Sequence, residues 1–120
     1  MEKLTRQEEK AMLSLWKIEK GFTKDILENF PGEKPHINTI SSLIRSLEGK
    51  GYVGHNTYGN TYEYFPLISK EEYSGNFLGN FVNNYFESSY KEVVTFFAQE
   101  QKLSADDLRE ILKMIEEQKS

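Results

Sequence analysis

His36-Ile37-Asn38-Thr39-Ile40-Ser41-Ser42-Leu43-Ile44-Arg45-Ser46-Leu47 is the stretch on which the fold turns. Ile37, Ile40, Leu43, Ile44 and Leu47 recur at i, i+3, i+6, i+7 and i+10, which makes one buried stripe of a helix. The opposite face holds Asn38, Ser41, Ser42 and Arg45. It is short, polar and able to hydrogen-bond. A face meant only for solvent would favour Lys and Glu, which are better helix formers than Ser. Small serines at 41, 42 and 46 also let a helix approach a partner closely. Pro35 marks the break before this helix, and Glu48-Gly49-Lys50-Gly51 closes it with glycine where a left-handed cap residue is expected.

Towards the N-terminus, Thr5 and Glu8 have the Thr-x-x-Glu spacing of a capping box. Met12, Leu13, Leu15 and Trp16 then give an apolar helical face, and Gly21 is expected to end that helix. A second, short helix is expected from Thr23 as N-cap, with Ile26, Leu27 and Phe30 inward, stopped at Phe30-Pro31-Gly32. On the other side, Tyr52–Thr57 and Thr61–Phe65 are rich in aromatic and β-branched residues, with Tyr58-Gly59-Asn60 between them as the turn. Pro66 ends the second strand. Three short helices followed by a hairpin is the order of a winged helix. The expected fold class is therefore α+β, mostly α: a winged helix-turn-helix domain over residues 1–67, followed by a helical dimerisation region over residues 68–120.

The helical region carries Tyr73, Phe77, Phe81 and Tyr85 at every fourth position behind a second capping-box pattern, Ser69 with Glu72. A segment from Tyr90 to Ala98 adds Val93, Val94, Phe96 and Phe97. A last helix from Ser104, with Leu103 and Leu108 placed as a hydrophobic staple, carries Leu108, Ile111, Leu112 and Ile115 on one side. Its carboxylates, Asp106, Asp107, Glu110, Glu116 and Glu117, read as a solvated face with acids near the N-terminus. So many aromatics in so short a tail cannot all hide against one small winged helix. Two copies about a two-fold axis would bury them. Tyr73, Phe77, Phe81, Tyr85, Phe96, Phe97, Leu108, Ile111, Leu112 and Ile115 are accordingly the expected dimerisation residues.

Composition narrows the function. The chain has 120 residues, 38% hydrophobic and 28% charged, the range of globular proteins. No apolar run approaches the roughly 20 residues of a membrane span. The start, Met1-Glu2-Lys3-Leu4-Thr5, runs directly into a charged helix pattern, so no signal peptide and a cytoplasmic location are expected. Cys is absent, which excludes disulfides and Cys-based zinc sites. His36 and His55 alone are too few for a metal centre, and no cofactor motif is present. Neither histidine has a nucleophile partner in a recognisable pattern, and no Gly-rich phosphate loop occurs, so an enzyme is not expected. Net charge is −4. Residues 1–66 balance nine basic against nine acidic side chains, and residues 67–120 supply the deficit with six against ten. Within 34–62, Lys34, Arg45 and Lys50 face Glu48 alone. A weakly basic stretch in an acidic chain permits DNA binding without demanding it.

The chain resembles the penicillinase-repressor (BlaI/MecI type) family of bacterial transcriptional regulators over nearly its full length. Leu4-Thr5-Arg6-Gln7-Glu8-Glu9 through Met12 and Leu15-Trp16 resembles the family's first helix. Asn38-Thr39-Ile40, Leu43-Ile44, Leu47-Glu48 and Lys50-Gly51-Tyr52-Val53 form the strongest stretch. Tyr62 to Leu67 resembles the second wing strand, and Phe96-Phe97, Leu103-Ser104 and the last helix resemble the end of the dimerisation domain. The resemblance implies a homodimer that represses by placing its third helix in the major groove of palindromic, double-stranded operator DNA. It also implies a membrane sensor protease of the same operon that triggers cleavage at an Asn-Phe bond. The matching positions are Phe96 and Phe97, so this candidate cleavage site lacks the family's Asn.

On that reading the expected DNA-binding residues are His36, Asn38, Thr39, Ser41, Ser42, Arg45 and Lys50, with Tyr58 and Asn60 on a wing whose tip carries no Lys or Arg. Asn can pair bidentately with adenine and Arg with guanine, hydroxyls can serve bases or phosphates, and a Thr methyl can meet a thymine methyl. His36 can equally cap its helix. Arg45→Ala should weaken operator binding and the same change at Lys119 should not. Two alternatives stand beside this: a winged-helix protein-interaction module without DNA binding, and a repressor induced by a small molecule held among the tail aromatics.

Overall fold

The computed structural model describes residues 2–87 and 89–118; Lys119 lies outside them. Among the described residues, six helices and one two-stranded sheet follow one another. They divide into two compact units, one through Ser74 and the other from Gly75.

Helix α1, Arg6–Ile18, opens on the capping box: Thr5 Oγ1 accepts from Glu8 N at 3.1 Å, and Glu8 Oε1 accepts from Thr5 N at 2.7 Å. Its buried face is Glu8, Ala11, Met12, Ser14 and Leu15. Leu13, expected inside, is exposed, because the core-facing stripe runs through Glu8 and Ser14 instead. Ser14 tolerates burial by donating to the Ile26 carbonyl at 2.7 Å. The helix ends at Ile18, ahead of Gly21, where Glu19 takes a positive φ of 70° and its N–H returns to the Leu15 carbonyl. In α2, Thr23–Glu28, the N-cap is Phe22 and not Thr23; the Asp25 carboxylate accepts from Phe22 N at 2.9 Å.

Helix α3, Ile37–Gly49, turns Ile40, Ile44 and Leu47 fully into the core and leaves Ile37 and Leu43 half-buried. Strands β1, Val53–Tyr58, and β2, Thr61–Pro66, pair antiparallel in the register Val53↔Pro66 to Tyr58↔Thr61. The connecting loop is only Gly59-Asn60, since Tyr58 is the last strand residue. Gly59 takes φ +62°, the positive angle that a two-residue hairpin loop needs at its first position. Gly21 exchanges both backbone hydrogen bonds with Tyr64, at 3.0 and 2.8 Å, so the α1–α2 loop lies against the hairpin. Glycine is required there. A Cβ would stand 2.7 Å from Ile18 Cδ1 and 3.0 Å from Asp25 Cβ. The Ile18 methyl can move away, but Asp25 is held by its cap. Gly21→Ala should therefore cost about 1–2 kcal/mol, read as a lower urea midpoint in tryptophan fluorescence.

One cluster closes the first unit: Leu4, Ala11, Met12, Leu15, Ile26, Phe30, Ile40, Ile44, Leu47, Tyr52, Val53, Tyr64 and Ile68. Trp16 packs at its edge and donates Nε1–H to the Ile68 carbonyl at 2.9 Å. Helix α4 spans Lys70–Tyr85 and is capped by Ser69, whose Oγ accepts from Glu72 N. Tyr73 departs from the four-residue series to which the sequence assigns it. Its ring lies 5.7 Å from Trp16 and 6.1 Å from Tyr52, and its phenol donates to the Glu9 carboxylate at 2.5 Å. Burial first, then that carboxylate, push the phenol's pKa up.

The second unit continues with α5, Tyr90–Gln99, and α6, Ala105–Gln118, which starts from a reciprocal Ser104–Asp107 cap. Phe81, Tyr85, Phe86, Phe96 and Phe97 form a chain of ring contacts with centroids 5.0 to 6.0 Å apart. Much of this surface stays open. Phe77, Phe81, Tyr85, Phe96, Phe97, Ile111, Leu112 and Ile115 are all exposed, while Leu108 is half-buried.

Candidate nucleic-acid interface

Helix α3 offers one face to the core and the other outward, and that division builds the site. With Ile40, Ile44 and Leu47 inside, Asn38, Thr39, Ser42 and Arg45 come to the surface. These four include the amide, two hydroxyls and guanidinium that suit base edges and phosphates. Arg45 reaches back with Nε to the Ser41 carbonyl at 3.4 Å, and among the described residues its guanidinium has no ion-pair partner.

Two of the expected residues serve the helix itself. His36 is the N-cap: its Nδ1 accepts from Asn38 N at 3.0 Å, which leaves the ring exposed. Ser41 is half-buried and donates its hydroxyl to the Ile37 carbonyl at 3.3 Å, so it is a weaker candidate for base contact than Ser42. On the wing, Tyr58 and Asn60 are exposed, with the Tyr58 ring 6.2 Å from Phe22.

Lys50, expected to face DNA, turns its ammonium inward, donating to Glu8 Oε1 at 2.7 Å and to the Lys3 carbonyl at 3.2 Å. Glu8 is 3% exposed. Its carboxylate also accepts from Ser46 Oγ at 2.6 Å and from Thr5 N at 2.7 Å. Burial alone would raise its pKa, but the bonds from Lys50, Ser46 and Thr5 outweigh it and hold the group down at about 2. Reading the charges in sequence missed this pair. The signal was present, because Glu8 falls on the same stripe as Met12 and Leu15, where only a partnered carboxylate can sit.

A second link ties the helix to the wing. Glu48, near the end of α3, pairs with His55 Nδ1 on β1. The His55 ring stacks on Tyr62 with centroids 4.3 Å apart and meets Tyr64 edge-on at 5.9 Å. His55 thus positions the hairpin, a role its lone occurrence in the sequence does not suggest.

Elsewhere, a shallow cavity of about 450 Å³ lies among Leu13, Lys17, Glu28, Asn29, Phe30, Pro31 and Lys70. None of the tail aromatics lines it. Among the described residues no group of three or more His, Asp or Glu is arranged to hold a metal, and no helix is long and apolar enough to cross a membrane.

The family model described as "Penicillinase repressor" matches residues 4–117. The chain is similar to a protein named "Methicillin resistance regulatory protein MecI" from Staphylococcus aureus (strain N315), 21% identical over 113 residues, covering 93% of this chain and 92% of that one. It is 20% identical over the same length to the protein of that name from Mammaliicoccus sciuri. A "Penicillinase repressor" from Bacillus licheniformis is 26% identical over 82 residues, 68% of this chain and 64% of that one.

Proposed function

The chain belongs to the penicillinase repressor family, and from that premise we propose that it represses transcription as a homodimer bound to two half-sites of operator DNA. The observation that carries the reading is the outward face of α3, where Asn38, Thr39, Ser42 and Arg45 are exposed on a helix whose other face is locked in the core. Phosphate contacts would supply most of the affinity and base edges the choice of site. The wing, through Tyr58 and Asn60, would contribute at most hydrogen bonds, because its tip has no cation. Paired tails would set the spacing of the two reading helices.

The regulatory signal belongs to the same proposal. A sensor protease acting on the tail would meet Phe96 and Phe97 inside α5. An extended substrate conformation there requires that helix to open locally. The open cavity beside Leu13 and Phe30 lies outside the tail aromatics, so it lends no support to a small-molecule signal held among them.

Fluorescence anisotropy with a duplex from upstream of the protein's own gene, at two salt concentrations, tests the reading. Saturable, salt-sensitive binding with two chains per duplex is expected. Arg45→Ala should weaken it by about 5- to 160-fold for each half-site, the roughly 1–3 kcal/mol of one good base contact, whereas Lys91→Ala on α5 should leave it unchanged. Equal effects of the two substitutions would remove α3 from the interface. Absence of binding to any DNA at low salt would transfer the fold to a protein-interaction role, with which the net charge of −4 is compatible.

A further inference from the structure

Polar side chains tie the end of α3 to other elements, and its beginning differs. There Ile40 packs into the core, but among the described residues the side-chain hydrogen bonds are the helix's own, the His36 cap and the Ser41 hydroxyl on the Ile37 carbonyl. At the end, Ser46 and Lys50 both converge on the Glu8 carboxylate of α1, and Lys50 also holds the Lys3 carbonyl. Two residues further on the pattern continues. The Tyr52 hydroxyl donates to the Glu2 carbonyl at 2.6 Å, and Leu67 N donates to the Tyr52 carbonyl at 2.8 Å. The exposed polar face lies on the free side of this anchor.

That geometry is a lever. Asn38 stands eight residues from Ser46, roughly 12 Å along the axis at about 1.5 Å per residue. A tilt of about 5° at the anchor would move Asn38 by about 1 Å, enough to break a base-edge hydrogen bond, whose useful range is only a few tenths of an ångström. Phosphate contacts are less demanding, since an ammonium or guanidinium is attracted over several ångströms. We infer that Glu8 and Lys50 are a positioning pair for the recognition helix, which sets discrimination between DNA sequences while touching no DNA. This rests on the repressor reading above and names residues that reading does not contain. It also explains why a lysine beside the candidate interface is turned away from it: with its charge satisfied by Glu8, Lys50 offers nothing to a phosphate of arbitrary sequence.

The test uses the full-length chain and the duplex that the wild-type protein enriches from a randomised pool, with an unselected duplex of equal length as comparison. Lys50→Met keeps most of the aliphatic stem and removes the ammonium. Lys50→Arg retains a donor for Glu8. Circular dichroism below the unfolding transition establishes that each variant is folded, so a loss of stability alone leaves the binding constants unmoved. Lys50→Met is expected to lose about 10-fold on the selected duplex and nothing on the unselected one, with the salt slope unchanged and Lys50→Arg restoring the preference. A parallel loss on both duplexes, with the slope of log K against log salt reduced by about 0.9 per protomer, would instead make Lys50 an ordinary phosphate contact and overturn the proposal. No change on either duplex overturns it as well. Failure of the wild-type chain to enrich any sequence is a separate result, seen before a variant is made, and removes the repressor reading with the pair.

Discussion

Ile111→Asp is expected to convert the protein to a monomer in sedimentation and to weaken binding to a two-half-site duplex by about 10²- to 10⁴-fold. Ile111, Leu112 and Ile115 lie on one side of α6 with 42%, 55% and 47% of their surface exposed. Solvated apolar stripes of this kind are stable when another surface covers them, and an identical chain offers an identical stripe. A carboxylate placed at the centre of such a contact must be desolvated without a partner, which costs more than a single apolar contact returns. The loss on DNA follows from connection rather than from contact. Two joined half-site binders hold a duplex with the product of their affinities, scaled by the effective concentration the joint provides, whereas a monomer has one half-site only. Trp16 and its bond to the Ile68 carbonyl lie in the first unit. Unchanged tryptophan emission would therefore show the winged helix intact. A variant that remains dimeric, or a monomer binding the full duplex as tightly as the wild type, would sink the proposed assembly.

How far the sequence could be read depended on whether a residue's partner was near it in the chain. The α3 stripe, the Thr5–Glu8 box and the Tyr52–Phe65 hairpin are local patterns, and each formed close to its expected place because helix and strand periods are set by backbone geometry. Failures were of the opposite kind. Leu13 looks apolar and therefore inward, yet the stripe passes through Glu8 and Ser14, whose burial is made tolerable by Lys50, Ser46 and the Ile26 carbonyl. Tyr73 has the same spacing as Phe77 and Phe81, yet Trp16 and Glu9, more than fifty residues earlier in sequence, hold it in the first unit. Lys50 carries no local sign that Glu8, 42 residues away, takes its ammonium. The outward face of α3 was legible for a simple reason: it is the complement of a stripe, and a stripe is local.

Acid should expose the Glu8 cluster directly. With its carboxyl held at about 2 against 4.5 in an unfolded chain, the folded state binds this proton less readily than the unfolded state does. Stabilisation is then complete above pH 4.5 and is lost as pH falls towards 2, by about 3 kcal/mol at roughly 1.4 kcal/mol per unit. Against the 5–15 kcal/mol that typically holds a small protein folded, that is a large share. Other carboxylates titrate in the same range, so the informative quantity is the difference between the wild type and Glu8→Gln, followed by urea unfolding at the single tryptophan. The amide can still accept from Ser46 or Thr5, but it cannot neutralise Lys50, whose ammonium is left beside a neutral, buried group. Near neutral pH the variant should be less stable by about 2–3 kcal/mol, with the gap narrowing below pH 4.5 and nearly closed at about 2. A gap that stays constant across this range would mean that the carboxylate is not the charged partner of Lys50. The positioning of α3 by that pair would then lose its physical basis, whatever the DNA measurements gave.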